Sequence, residues 1–279
     1  MTQILPQVMG ILNLTPDSFF AGSRKQTEDE ISARVHQIVE EGGSIIDLGA
    51  FSTRPGAAEV SLEEEMKRMR NGLEIVTREL PNATSKPSEI RLSIDTFRPE
   101  VARMAVEEYG ASIINDVSEG GKTGVVDTPL EINDDSIPAI FKEVARLNVD
   151  YILMSVQPTV EKIISNYREE LRQLRELGHE KVILDPGYGF GKDVIKGNYE
   201  VLARQKEIKD AFPGLPLLAG ISRKRMIWHL LGITTDDALN GTTVVNTIAL
   251  MNGADILRVH DVRQAAEAVR ICQMSKFTS

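Results

Sequence analysis

Eight short apolar segments, rich in β-forming residues, recur along the chain, and helical patterns with charged outer faces separate them. The segments are Gln7 to Asn13, Ser44 to Gly49, Ile90 to Asp95, Ala111 to Asp116, Asp150 to Met154, Lys181 to Asp185, Leu215 to Gly220 and Asp255 to His260. They mostly begin roughly 30 to 45 residues apart, the interval needed when a helix returns the chain between parallel strands. The intervening patterns predict helices over Thr27 to Val39, Ser61 to Leu80, Pro99 to Tyr109, Ile137 to Leu147, Val160 to Leu177, Tyr199 to Ala211, Asp236 to Met251 and Val262 to Met274. The first two open on capping boxes, Thr27-Glu28-Asp29-Glu30 and Ser61-Leu62-Glu63-Glu64. Pro81 to Glu89 and Glu119 to Ser136 read as surface loops. Eight such alternations match a single (β/α)8 TIM barrel better than an open doubly wound sheet, although periodicity alone does not show closure. No Pro/Ser/Gly-rich linker divides the chain, so residues 1–279 read as one domain.

Hydrophobic residues make up 42% of the 279, enough to fill one large core without staples. A single cysteine, Cys272, cannot pair within the chain, which suits a reducing, cytoplasmic setting. No apolar run follows the first methionine, and no stretch approaches the ~18 apolar residues of a membrane span. Secretion and membrane association are not expected. The net charge of -9 argues against nucleic acid as the main partner. It does not exclude an anionic substrate, because local cations decide that.

The position of the polar residues points to function. Predicted strands end in Asn13, Asp95, Asn115 with Asp116, Asp185, and Arg258 with His260, and the seventh runs into Gly220-Ile221-Ser222-Arg223-Lys224. In a barrel these carboxyl ends converge on one mouth, where loops assemble the active site. A single polar strand end is usually a turn former or cap; five or six of them are harder to explain that way. Asp95, Asn115 and Asp185 supply acceptors and an amide, suited to a flat heterocycle edged with N–H donors and ring acceptors. Lys224, Arg258, Arg54 and His260 supply cations suited to phosphate or carboxylate. Asn13 offers a neutral oxygen to a hard metal such as Mg²⁺. A site with both halves should bind a heterocycle carrying a phosphate or diphosphate.

Seven ordered blocks resemble the dihydropteroate synthase family, from near residue 8 to near residue 265. They are Met9-Gly-Ile-Leu-Asn-Leu-Thr-Pro-Asp-Ser-Phe19, Ile45-Ile-Asp-Leu-Gly-Ala-Phe-Ser-Thr-Arg-Pro-Gly56, Ser93-Ile-Asp-Thr-Phe-Arg-Pro-Glu-Val-Ala102, Ile113-Ile-Asn-Asp-Val117, Asp185-Pro-Gly-Tyr-Gly-Phe-Gly-Lys192, Gly220-Ile-Ser-Arg-Lys224 and Arg258-Val-His-Asp-Val262. The resemblance implies a transferase that condenses 6-hydroxymethyl-7,8-dihydropterin diphosphate with p-aminobenzoate, giving 7,8-dihydropteroate and diphosphate. It implies that Asp95, Asn115, Asp185 and Lys224 line the pterin pocket, with Met154 and Phe190 as apolar walls. Asn13 would help hold Mg²⁺ on the diphosphate, which Arg258 and His260 grip. Phe19 belongs to a mobile first loop, and Thr53, Arg54 and Pro55 to a second; together they would cover the p-aminobenzoate site. Ser222, beside Lys224, is placed at the p-aminobenzoate carboxylate. Lys224, Arg258 and His260 are the residues expected to carry catalysis, through positioning and charge rather than a nucleophile.

The chain departs from the family pattern in places. Ala21 stands where an aspartate is common, leaving Asp17 as the nearer carboxylate. Met154-Ser155 replaces a usual Met-His pair, and Ala50-Phe51 replaces a glycine and a polar residue. Asp47, inside the second strand, reads either as a buried hydrogen-bonding residue or as support for the site. The glycines around Tyr188 do not have dinucleotide-fingerprint spacing; they read as a loop that lets backbone approach a ligand. His36, His179 and His229 sit at no strand end and read as surface or packing residues. Cys272 reads as structural, and no His/Cys/Asp spacing suggests zinc. Three rivals remain at this point: a pterin-binding methyltransferase domain, a phosphate-sugar barrel enzyme, and a non-catalytic binding or partner subunit. Barrels often pair through outer helices, so a homodimer is compatible with the sequence, which does not itself show one.

Overall fold

In the computed structural model, which describes residues 6–14, 28–51, 60–120 and 137–276, eight parallel strands form one sheet. They are β1 (Gln7–Asn13), β2 (Ile45–Gly49), β3 (Arg91–Asp95), β4 (Ile113–Asp116), β5 (Asp150–Met154), β6 (Val182–Asp185), β7 (Leu218–Ala219) and β8 (Ile256–Val259). The order is β6-β5-β4-β3-β2-β1-β8-β7. A parallel bridge between Leu184 and Leu217 joins the two ends, so the sheet curls into a barrel. The predicted strands are all present. The seventh is shorter than expected, because Leu217 spends its amide on the Asp255 carboxylate at 2.7 Å instead of a ladder partner.

The helices are α1 (Glu28–Glu40), α2 (Leu62–Ala83), α3 (Pro99–Tyr109), α4 (Ala139–Leu147), α5 (Val160–Glu176), α6 (Lys196–Ala203), α7 (Gln205–Ala211), α8 (Arg225–Leu231), α9 (Leu239–Met251) and α10 (Val262–Lys276). Ser61 caps α2 by accepting from the Glu64 amide at 3.2 Å, as its capping box predicts. The Thr27 box lies outside the described residues. α2 continues through Pro81 to Ala83, beyond its expected end; a proline in the last turn removes only one helical bond. Pro87–Glu89 adds a short 3-10 turn where a loop was expected. The helix expected over Tyr199 to Ala211 is two, broken at Arg204. Just beyond the break, the Gln205 side chain donates from Nε2 to the Ala249 carbonyl at 2.9 Å and anchors the second helix against α9. α8, which the periodicity does not separate from the seventh block, follows directly on Lys224. A 3-10 turn, Asp236–Ala238, precedes α9.

Side chains of a strand alternate between two faces, and this alternation builds the site. Met9, Ile45, Ile113, Ile152, Ile183, Leu218 and Ile256 form a buried apolar cluster of their own, separate from the large core between sheet and helices. Two residues further along the same strands stand Ile11, Asp47, Asn115, Met154, Asp185, Gly220 and Arg258. The apolar cluster is therefore a floor, and the next layer above it is where polar chemistry begins. No helix among the described residues is long and apolar enough to cross a membrane.

Candidate active site

Arg258 organises the mouth of the barrel. Its Nε donates to Asp47 Oδ2 at 2.6 Å and its Nη2 to Asp95 Oδ2 at 2.6 Å. Asp47 is fully buried and also accepts from Ser93 Oγ at 2.6 Å and from Asn115 Nδ2 at 3.3 Å. The two readings left open for Asp47 therefore both hold: it is buried, and it supports the site. Asp95 and Asn115 are register partners across β3 and β4. Burial pushes the Asp95 carboxyl up to about 7; Arg258 pulls it down, and the like charge of Asp47 pushes it up again. Burial alone would lower Arg258; Asp47 and Asp95 more than offset this and raise it.

Across the barrel, Met154 and Asp185 are register partners on β5 and β6. Asp185 accepts from the Gly187 amide at 2.9 Å, and its carbonyl accepts from Tyr167 Oη at 2.5 Å. Burial raises the Asp185 carboxyl against the pull of Lys224 and the Gly187 amide. Lys224 Nζ lies 4.7 Å from the Phe190 ring centroid and donates to the Tyr188 carbonyl. Burial lowers Lys224 to about 8, with Asp185 opposing. Met154 is fully buried, and Phe190 is half-buried. Asp95, Asn115, Met154, Asp185, Phe190 and Lys224 thus all belong to the end of the barrel where the sequence places them.

Two glycines of this loop let backbone approach backbone. Gly187 has φ +70, and a Cβ there would stand 1.9 Å from the Ser155 carbonyl oxygen; at Gly191 it would stand 1.7 Å from that of Val156. Backbone lies on backbone, and only glycine permits it. Lys192 fastens the contact, with Nζ donating to the carbonyls of Ser155 at 3.2 Å, Gly187 at 3.0 Å and Phe190 at 3.1 Å. Nothing but its place in the block marks this ammonium in the sequence.

Ser222 and His260 meet at the β7–β8 exit, where the His260 amide donates to Ser222 Oγ at 3.2 Å. Between Ser222 and Lys224, Arg223 adopts φ 54, an uncommon conformation for a residue with a side chain. Its guanidinium forms a bidentate pair with Asp261, both bonds 2.9 Å, and reaches the Thr235 and Asp236 carbonyls. Arg34, from α1, donates to the carbonyls of Ile11 and His260 and ties β1 to β8.

Two further expectations change. Asp116 takes no place in the mouth: it accepts from Ser118, Gly120 and Tyr151 and holds the β4 exit. Glu119 is not a surface residue but is 1% exposed. It accepts from Ser155 Oγ at 2.9 Å, Gln157 Nε2 at 3.3 Å and Asn166 Nδ2 at 2.9 Å, so Ser155 has a local structural partner. His179 and Cys272 are buried packing residues, His36 pairs with Glu79, and His229 is exposed. Asn13 ends β1. Phe19, Thr53, Arg54 and Pro55, with Asp17, Ala21 and residues 121–136, lie outside the described residues.

Comparison with known proteins gives a consistent answer. Residues 9–260 match the model of the pterin binding enzyme family. The chain is similar to the dihydropteroate synthase of Escherichia coli strain K12, with 36% identity over 274 residues, 96% of this chain and 91% of that protein. Among solved structures, it resembles a Coxiella burnetii dihydropteroate synthase in complex with pteroic acid, at 27% identity and TM-score 0.82, covering 100% of this chain and 96% of that one. It also resembles the Xanthomonas albilineans enzyme with 4-aminobenzoic acid, at 33% identity and TM-score 0.78, covering 98% and 93%. Floor, mouth and ordered blocks agree with these likenesses, and the chain belongs to the dihydropteroate synthases, transferases of folate biosynthesis within the pterin-binding enzymes.

Proposed function

We propose that this mouth binds 6-hydroxymethyl-7,8-dihydropterin diphosphate in its depth and p-aminobenzoate above it, and joins them with release of diphosphate. The observation that carries this reading is the convergence of acceptors, buried Asp185 and partly buried Asp95, with two partly buried cations, Arg258 and Lys224, above an apolar floor. Asp95, Asn115 and Asp185 take the pterin's N–H groups, with Met154 and Phe190 against its ring. Arg258 and His260 grip the diphosphate, and Lys224 with Ser222 meets the p-aminobenzoate carboxylate beside the pterin. The bond from the pterin methylene to the diphosphate oxygen breaks, and its electron pair leaves with diphosphate. The arylamine nitrogen then bonds to the methylene and loses a proton. No side chain acts as nucleophile; fixed charges stabilise the leaving group and hold the two reactants together.

Mg²⁺ belongs to the same proposal. Among the described residues, no group of three or more His, Cys, Asp or Glu side chains could hold a metal. The neutral oxygen of Asn13 instead fits a hard cation carried mainly by the diphosphate's own oxygens. Held there, the metal would offset charge on the departing diphosphate. Asn13→Ala should raise the Mg²⁺ concentration needed for half-maximal rate, and an unchanged requirement removes Asn13 from the metal.

A homodimer through the outer helices is proposed as well. Val244, Ile248 and Met251 on α9 and Ile271 and Met274 on α10 are apolar and exposed on adjacent helices.

The direct test of the activity is turnover with both substrates, read as diphosphate release. Lys224→Ala should abolish most of it while leaving the melting temperature nearly unchanged. Absence of diphosphate release by the parent protein at saturating substrates and Mg²⁺ would overturn the reading.

A further inference from the structure

Asp47 sits in the polar layer directly above the apolar floor, where it is fully buried and touches three groups at once. Ser93 Oγ and Arg258 Nε donate to it at 2.6 Å each, and Asn115 Nδ2 lies 3.4 and 3.3 Å from its two oxygens. A carboxylate paired with a guanidinium accepts hydrogen bonds and donates none. The Asn115 amide must therefore turn its NH₂ towards Asp47, since the flipped amide would set oxygen against oxygen. Among the described residues, Asn115 Oδ1 is left buried with no hydrogen-bond partner. A buried acceptor without a partner is costly, and an N–H group of a ligand entering the pocket can satisfy it.

We propose that Asp47 is a specificity-determining positioning residue: by holding the NH₂ of Asn115, it fixes Asn115 as an acceptor. Asn115 then joins Asp95 and Asp185, and the pocket presents acceptors from three strands. Such a lining selects a heterocycle edge that carries N–H donors, and rejects one that carries a carbonyl in the same place. The inference rests on the pterin reading above. The same carboxylate also holds Arg258, so one residue sets both the polarity of the ring pocket and the resting place of the anion-binding cation.

The test uses the full chain and two small probes: pterin, with its 2-amino group, and lumazine, in which a carbonyl replaces it. Calorimetry should show the parent preferring pterin, and Asp47→Asn should reduce that preference by at least about tenfold, because an amide at position 47 can donate and lets Asn115 turn over. Loss of folded protein lowers binding of both probes equally, so the ratio isolates polarity from stability. An unchanged ratio overturns the proposal. If Asp47→Asn does not fold, the side-chain NH₂ of Asn115 in the parent protein answers by NMR. Its protons should exchange slowly before any ligand is added and shift little with pterin; fast exchange in the ligand-free protein overturns the proposal. A parent that binds neither probe overturns the pterin reading instead, and the NMR result still decides the orientation of Asn115.

Discussion

Arg258 Nη2 stands 2.6 Å from Asp95 Oδ2, so a cation expected for the diphosphate and a carboxylate expected for the pterin are each other's partners in the ligand-free protein. The guanidinium is held equally closely by Asp47. Ligand binding must therefore redistribute one shared cation among carboxylates and anion.

That sharing has a consequence for stability. Arg258→Met would leave Asp47, fully buried, and Asp95, partly buried, facing each other without their cation. Breaking such a buried pair costs about 3–5 kcal/mol, because the abandoned charge cannot return to water. Urea denaturation should show a loss of that order, partly recovered in the Arg258→Met/Asp47→Asn double variant. An Arg258→Met midpoint equal to the parent's would mean that the three side chains do not form one closed group.

A second consequence concerns pH. Burial places Asp95 at about 7 and Lys224 at about 8. Accepting the pterin's N–H groups requires ionised Asp95, and answering an anion requires protonated Lys224. kcat/KM, which reports the free enzyme, should rise through about 7 and fall through about 8. For stability the sign reverses. A carboxyl raised on folding stabilises the folded state below its unfolded value, and this contribution is lost as pH rises through about 7. Acidification from pH 8 to 6 should thus lower activity while Asp95 contributes more to stability. In Asp95→Asn the acid limb of the residual activity should vanish; an acid limb that stays in place assigns it to another group.

Much of this arrangement is legible from alternation alone. In Ile45-Ile46-Asp47-Leu48-Gly49 and Ile256-Leu257-Arg258-Val259-His260, every second residue faces the axis, so the floor and the polar layer above it follow from period two. The sequence does not reveal which polar side chains reach one another across the axis; the pairing of Arg258 with Asp47 crosses 211 positions. Glu119 is harder still. Acidic and near a polar stretch, it resembles a surface residue, and only the arrival of Ser155 and Gln157 from the loop after β5, and of Asn166 from α5, makes its burial tolerable. The break at Arg204 depends likewise on contacts with the end of α9, which no local pattern near Arg204 records.

The Arg223–Asp261 pair gives a third prediction. Arg223 holds a left-handed backbone between Ser222 and Lys224, and its bidentate bonds to Asp261 oppose relaxation of that conformation. Arg223→Lys keeps the charge but loses the planar fork. It should destabilise the protein by about 2 kcal/mol and lower kcat/KM by displacing its two neighbours. The split between the effects is informative: Asp261→Asn should reproduce both in the same direction. If Asp261→Asn is silent while Arg223→Lys is not, the Thr235 and Asp236 carbonyls hold Arg223 without the carboxylate.

The last prediction concerns the outer wall. Val244 and Met251 on α9 are 52% and 53% exposed, and Ile271 and Met274 on α10 are 69% and 66% exposed. Single exposed apolar residues need no explanation, but several on neighbouring helices leave a contiguous surface that water solvates poorly. Val244 and Ile248 are one helical turn apart, so both point out along one line of α9. A second copy packed on this face would bury the same residues from each side, as a two-fold contact requires. Sedimentation equilibrium should give twice the mass of one chain. Val244→Lys/Ile248→Lys should return it to one chain by placing like charges opposite each other across the axis. The floor and mouth lie on the inner side of the barrel, so the separated chain should keep its pterin affinity. A parent protein that sediments as a single chain at micromolar concentration would overturn the dimer, and lost pterin affinity in a folded, monomeric variant would show that pairing also shapes the mouth.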